Sequence, residues 1–139
     1  MDRVIATAPG KVMLAGEYAV LDGGRALVAA VDRRAVATID PACTRPSHSE
    51  FLDAARAVFA AAHGEVVARA FDRLTVDTSA MRDGHRKLGL GSSAAATVAA
   101  VAAVIAAELP QVIHRGIPIL EYALRAHGDA QQAKGARGS

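Results

Sequence analysis

The residues able to do chemistry fall in two widely separated places. Gly89-Leu90-Gly91-Ser92-Ser93 follows a segment carrying Arg82, Arg86 and Lys87 and precedes a long run rich in Ala, Val and Ile that reads as an uninterrupted helix. Glycines let backbone N–H groups turn toward one point and let a ligand approach closely. A helix beginning there adds unpaired N–H groups and the positive end of its dipole, a good place for a phosphate. The hydroxyls of Ser92 and Ser93 can donate to phosphate oxygens, or one of them can ligate magnesium. This is not the Walker A pattern, because no Lys-Ser/Thr pair follows the last glycine. The same residues also read as a tight turn ending in a serine N-cap. The second place is Ala8-Pro9-Gly10-Lys11, where a lysine among small residues can reach over a pocket floor. Lys87 stands two residues before Gly89 of the glycine loop, where its ammonium can lie over a transferred phosphoryl group. Each lysine also reads as an ordinary solvated charge. Glu17 reads as either a surface acid or a partner for Lys11.

The flanking segments predict how these residues are held. Val4–Ala8 reads as a strand running into a turn at Pro9-Gly10. Val12–Ala15 and Ala26–Val31 read as further strands, separated by a turn at Leu21-Asp22-Gly23-Gly24. Ala35–Asp40 alternates as a strand with one covered face. Residues 41–49 form a polar loop. Ser47 with Glu50 is a capping-box signal for a helix over about 50–62, whose apolar stripe is Phe51, Ala54, Ala55, Val58 and Phe59 and which Gly64 closes. Arg73–Thr78 alternates as another strand. A helix follows over about 93–107, with Val98, Val101 and Ile105 as core and its alanines able to lie close on a sheet. Gly116 and Pro118 open a last helix over about 118–133, with Ile119, Tyr122, Ala123 and Ala126 on one face. Lys134–Ser139 reads as loop. The sum is an α+β, two-layer domain.

One hundred and thirty-nine residues suit a single domain. The apolar share of 52% permits a core and argues against disorder. A net charge of +2 suits an anionic small molecule as well as a polyanion, but the aromatic share of 4% removes the stacking platforms of a single-strand nucleic-acid reader. The single cysteine, Cys43, forms no internal disulfide and no multi-cysteine zinc site. The N-terminus shows no signal-peptide pattern, and the longest apolar run, Ala94–Ala107, is shorter than a bilayer span of about 20 residues. A soluble, cytoplasmic domain is expected, with no membrane partner.

APGKVMLAGEYAVLDGG followed by KLGLGSSAAATVA resembles the N-terminal part of the GHMP kinases. GEYAVL, VDTSAMR and a lysine two residues before GLGSS are most similar to the phosphomevalonate kinase branch, and that lysine argues against mevalonate kinase, the nearest alternative within the group. The resemblance implies the GHMP N-terminal fold, which is shared with a ribosomal-protein domain. It also implies ATP-dependent conversion of phosphomevalonate to diphosphomevalonate in isoprenoid-precursor synthesis, with ATP and Mg2+ as cofactors and a phosphorylated small molecule as acceptor. It places Gly89, Leu90, Gly91, Ser92, Ser93 and Ala94 around the ATP phosphates, with Ser93 at the magnesium. Lys11 lies near the substrate or transferred phosphate, and Lys87 contacts the phosphates. Arg82, Arg86 or Arg137 are candidates for the acceptor's own phosphate. A noncatalytic nucleotide- or RNA-binding module on the same fold is the alternative from another class.

Ala126-His127…Ala130-Gln131…Gly135-Ala136-Arg137-Gly138-Ser139 resembles the family segment that reads Gly-Ser-Gly and then Asp. The sequence stops before that aspartate, the third motif and the C-terminal lobe. An acidic magnesium ligand of related kinases falls near the uncharged Gln131, and His127 reads as a structural histidine. The expectation is therefore a half-site with little turnover alone. A face left uncovered by the second lobe is expected to drive homodimerisation or aggregation.

Overall fold

A computed structural model describes residues 2–115 and 117–137. Two long strands form most of the sheet. β1 (Val4–Ala15) pairs antiparallel with β2 (Leu27–Ile39), and β2 pairs antiparallel with the short β3 (Leu74–Asp77), giving the order β1-β2-β3. The two strands anticipated on either side of Pro9-Gly10 are one, with register shifts between Pro9 and Lys11 and between Met13 and Ala15. β1 is an edge strand, where a proline without an N–H is tolerated, and Gly10 accommodates the irregularity. Similarly, Ala26–Val31 and Ala35–Asp40 merge into β2, whose exposed Asp32, Arg33 and Arg34 need no covering layer. The intervening turn contains a 3₁₀ segment, Ala19–Asp22, closed by Gly23 at φ 81°.

Alternation in the second half of β2 turns Ala35, Ala37 and Ile39 into the core, all 0% exposed. Above them lies α3 (Ser92–Glu108), which presents Ala95, Ala99, Ala100 and Ala103 along with Val101, Val104 and Ile105. Alanine facing alanine lets the helix backbone approach the sheet closely, so the start of α3 is set by rigid packing. α1 (Glu50–His63) buries Leu52, Ala55, Val58 and Phe59. Its cap is Ser49, whose Oγ accepts from the Leu52 N–H, rather than Ser47. Ser47 is used differently: its N–H donates to Leu74 O and its Oγ accepts from Val76 N–H, tying the 41–49 loop to β3. Phe51 lies beside the buried stripe, half-buried. Gly64 ends α1 at φ 88°, as anticipated.

A single-turn helix, α2 (Glu65–Ala68), and a 3₁₀ segment, Arg69–Arg73, return the chain to β3; no element was anticipated there. Phe59 packs against Phe71 and Tyr122 with ring centroids 5.6 and 5.0 Å apart, joining α1, this segment and the last helix. α4 (Ile117–Arg137) buries Ala123, Ala126 and Ala130. It continues through Lys134–Arg137, anticipated as loop; Gly116, Gly138 and Ser139 lie outside the described residues. Lys134 extends the helix usefully, pairing with Glu50 at 3.6 Å and lying 4.7 Å from the Phe51 ring centroid. The structure is thus α+β, a small antiparallel sheet packed against helices. Among the described residues no helix is long and apolar enough to cross a membrane.

Candidate functional site

The first turn of α3 meets β1 at its irregularity. Lys11 N–H donates to Leu90 O at 2.9 Å, so the Pro9-Gly10-Lys11 bend and the glycine loop are tied backbone to backbone. Gly10 makes this approach possible, because a Cβ there would stand 2.9 Å from Leu90 O and 3.1 Å from Leu90 Cβ and Met81 Cε. Met81, 1% exposed, anchors the preceding segment, and its carbonyl accepts from Leu88 N–H. Between these anchors a short hairpin, β4 (Arg82–Asp83) with β5 (Arg86–Lys87), carries Lys87 to the loop.

Gly89 and Gly91 hold φ of 70° and 68°, the left-handed region that costs an L side chain about 1–2 kcal/mol. Gly91 is the N-cap of α3, and no side chain caps the helix. The serine-cap reading of the loop is therefore replaced: Ser92 and Ser93 are the first two helical residues, and their hydroxyls are not spent on capping. Ala95 N–H donates to Gly91 O. The amides of Ser92, Ser93 and Ala94 precede that bond and belong to the helix turn that has no intrahelical partner. Ser93 O accepts from the buried Thr97 hydroxyl at 2.8 Å, which steadies the turn.

Both lysines reach this point. The Lys11 stem lies over Gly91, with Cε 3.2 Å and Cγ 3.3 Å from where a Cβ would stand. Lys87 lines a cavity of about 220 Å3 with Ser49, Phe51, Thr78, Ser92, Ser93 and Ala96. A second cavity of about 380 Å3 shares Ser49, Thr78 and Ala96 and extends to His48 and Arg82. Together they make a cleft whose shared wall carries the Ser49 and Thr78 hydroxyls, and the cross-strand partners Lys87 and Arg82 line one part each. Asp77 stands between Val76 and Thr78 of the lining, and its carboxylate accepts from the Ser79 backbone N–H at 2.8 Å. Hydrogen bonding from Ser79, side chain first and then backbone, holds the Asp77 carboxyl below its ordinary range.

The structure thus gathers Lys11, Lys87 and Gly89–Ala94. Arg82 lines the cleft, whereas Arg86 is exposed on β5 and lines neither cavity. Arg137 has no described side chain. Glu17 is exposed and forms no ion pair with Lys11. Ser49, Phe51, Thr78, Ala96 and His48 were not anticipated at the site. Phe51 was read only as part of an apolar helix stripe, Thr78 as the end of a strand, and Ser49 as part of the polar loop. His127 and Gln131 line another cavity, of about 320 Å3, between α3 and α4 with Ala94, Thr97, Val98 and Leu124. Among the described residues no three His, Cys, Asp or Glu side chains cluster as a metal site.

No family model matches the chain. It is 33% identical to a phosphomevalonate kinase from Streptomyces sp. (strain CL190), over 74% of this chain and 38% of that enzyme. A crystal structure of a Lin0012 protein from Listeria innocua matches 94% of this chain and 43% of its own, with a TM-score of 0.71 and 23% identity. That likeness shows a shared fold. The chain spans about two-fifths of the length of each of these two proteins.

Proposed function

We propose that the chain binds the phosphates of ATP at Gly89–Ser93 and forms the nucleotide-binding lobe of a GHMP-type kinase. Its nearest specialisation is phosphomevalonate kinase, and its acceptor is a phosphorylated small molecule. The observation that carries this reading is the convergence of Lys11, Lys87 and the Ser92 and Ser93 hydroxyls, neither of them used to cap the helix, on the unpaired amides that open α3. The 33% identity to a phosphomevalonate kinase supports the choice of reaction class.

Phosphoryl transfer needs mainly alignment and positive charge where negative charge develops. In the proposed reaction an acceptor phosphate oxygen bonds to the γ-phosphorus of ATP as its bond to the β–γ bridging oxygen breaks. Diphosphomevalonate and ADP result. The loop amides and the Ser92 and Ser93 hydroxyls hold the nucleotide's phosphates. Lys87 offsets charge on the group being moved, and Lys11, braced on Gly91, does so from the β1 side. Arg82, the cross-strand partner of Lys87, provides a second cation beside it.

Magnesium fits this donor set in one way. A hard cation that keeps phosphate and water ligands needs few protein groups, and the Ser93 hydroxyl, free of capping, is one. Bound there, magnesium would neutralise phosphate charge.

Calorimetry of MgATP binding tests the proposal. Ser93→Ala and Lys87→Ala should each weaken binding about tenfold or more, the worth of a hydrogen bond to a charged group, with the melting temperature retained. Undiminished binding in both variants, or RNA binding that falls steeply with salt in place of nucleotide binding, would refute it.

A further inference from the structure

His127 stands behind Ser93. Its Nε2 lies 3.5 Å from Ser93 Oγ across the α3–α4 interface. The ring is half-buried and stacks on Phe51 of α1, centroids 4.8 Å apart at 27°. Phe51 is held in turn, because Lys134 lies over its ring and pairs with the adjacent Glu50. The imidazole therefore has its plane set by α1, its position set by α4, and one nitrogen directed at a hydroxyl in the cleft. A solvent-facing histidine has none of these constraints.

We infer that His127 is a positioning residue for Ser93: its Nε2 selects the rotamer and proton direction of the hydroxyl that meets the nucleotide's phosphates or their metal. This rests on the proposed phosphate role of the loop. A serine hydroxyl has one proton and two lone pairs. With Nε2–H donating, the serine proton stays available to a phosphate oxygen; with Nε2 accepting, the lone pairs stay available to a cation. In either case a hydroxyl that otherwise rotates freely is fixed before the ligand arrives. A contact of this length is weak in the unliganded protein and is of the kind that tightens on binding.

The test is a double-mutant cycle on MgATP affinity, read by calorimetry with melting temperatures alongside. His127→Phe keeps a ring against Phe51 and removes the nitrogen. His127→Asn removes both, and His127→Gln returns an amide nitrogen near the Nε2 position. Phe and Asn should each weaken binding about three- to tenfold, the net worth of one hydrogen bond, and Gln should restore most of it. In the Ser93→Ala background the same substitutions should change affinity by less than about twofold, because the group through which His127 acts is gone. Equal losses in both backgrounds, or no loss with Phe and Asn, would overturn the inference while leaving nucleotide binding intact. Failure of the unmodified chain to bind MgATP would overturn the functional reading and this inference together.

Discussion

Replacing Gly10 by alanine adds one methyl group far from any reacting atom, yet it should damage the loop. The new Cβ would lie 2.9 Å from Leu90 O, a backbone atom that cannot swing aside, and 3.1 Å from Met81 Cε, which can. Relief therefore requires the β1 bend and the glycine loop to separate, which also stretches the 2.9 Å bond from Lys11 N–H to Leu90 O. Overpacking of this kind costs about 1–3 kcal/mol and the bond about 1 kcal/mol more. In a domain of this size that lowers Tm by about 10 °C. Displacing the loop amides should also weaken MgATP binding at least tenfold, since misplacement on the scale of an ångström is costly for an aligned site. Gly64→Ala is the control. It strains a φ of 88° where nothing lies within 4 Å, so it should lower Tm modestly and leave nucleotide affinity unchanged. Scanning calorimetry and titration calorimetry on the two variants give the comparison. A Gly10→Ala protein with unchanged Tm and affinity would refute the close-approach argument.

Two further outcomes follow from the surface. The Asp77 carboxyl is held below its ordinary value by Ser79, so its contribution to stability is fully present above the unfolded value and disappears as pH falls through the folded one. Asp77→Asn should thus destabilise the protein at neutral pH, and urea titrations should show the difference from wild type shrink and vanish as pH falls through the folded value. At the far end of the β1–β2 hairpin, Leu14, Leu21 and Leu27 are 59%, 80% and 60% exposed. We propose that this apolar end drives self-association. Light scattering should show mass rising with concentration, and Leu27→Asp should suppress it; a monomer at every concentration would contradict the proposal.

The loop was legible in the sequence because its signals are local. Two glycines, two serines and an apolar run mark the start of a helix, and Gly64 marks the end of another. Alternation likewise identified the buried face of β2. Strand limits were harder. Pro9 is a chain-breaker in most settings, but at the edge of the sheet it only shifts the register without ending the strand, and Asp32-Arg33-Arg34 look like a turn only until the strand is seen to run past its covering helices. Serine choice was similarly ambiguous, since Ser47 and Ser49 both precede α1 and only β3, reached much later in the chain, claims Ser47. The stack of Phe51 on His127, and with it the contact to Ser93, depends on three helices meeting. No spacing in the sequence encodes it.

The most direct measurement is a crystal structure of the chain with a non-hydrolysable ATP analogue and magnesium. The account predicts phosphate oxygens within hydrogen-bond reach of the Ser92, Ser93 and Ala94 amides, with Lys87 beside them. A nucleotide bound elsewhere, or a glycine loop whose amides contact only protein, would contradict it.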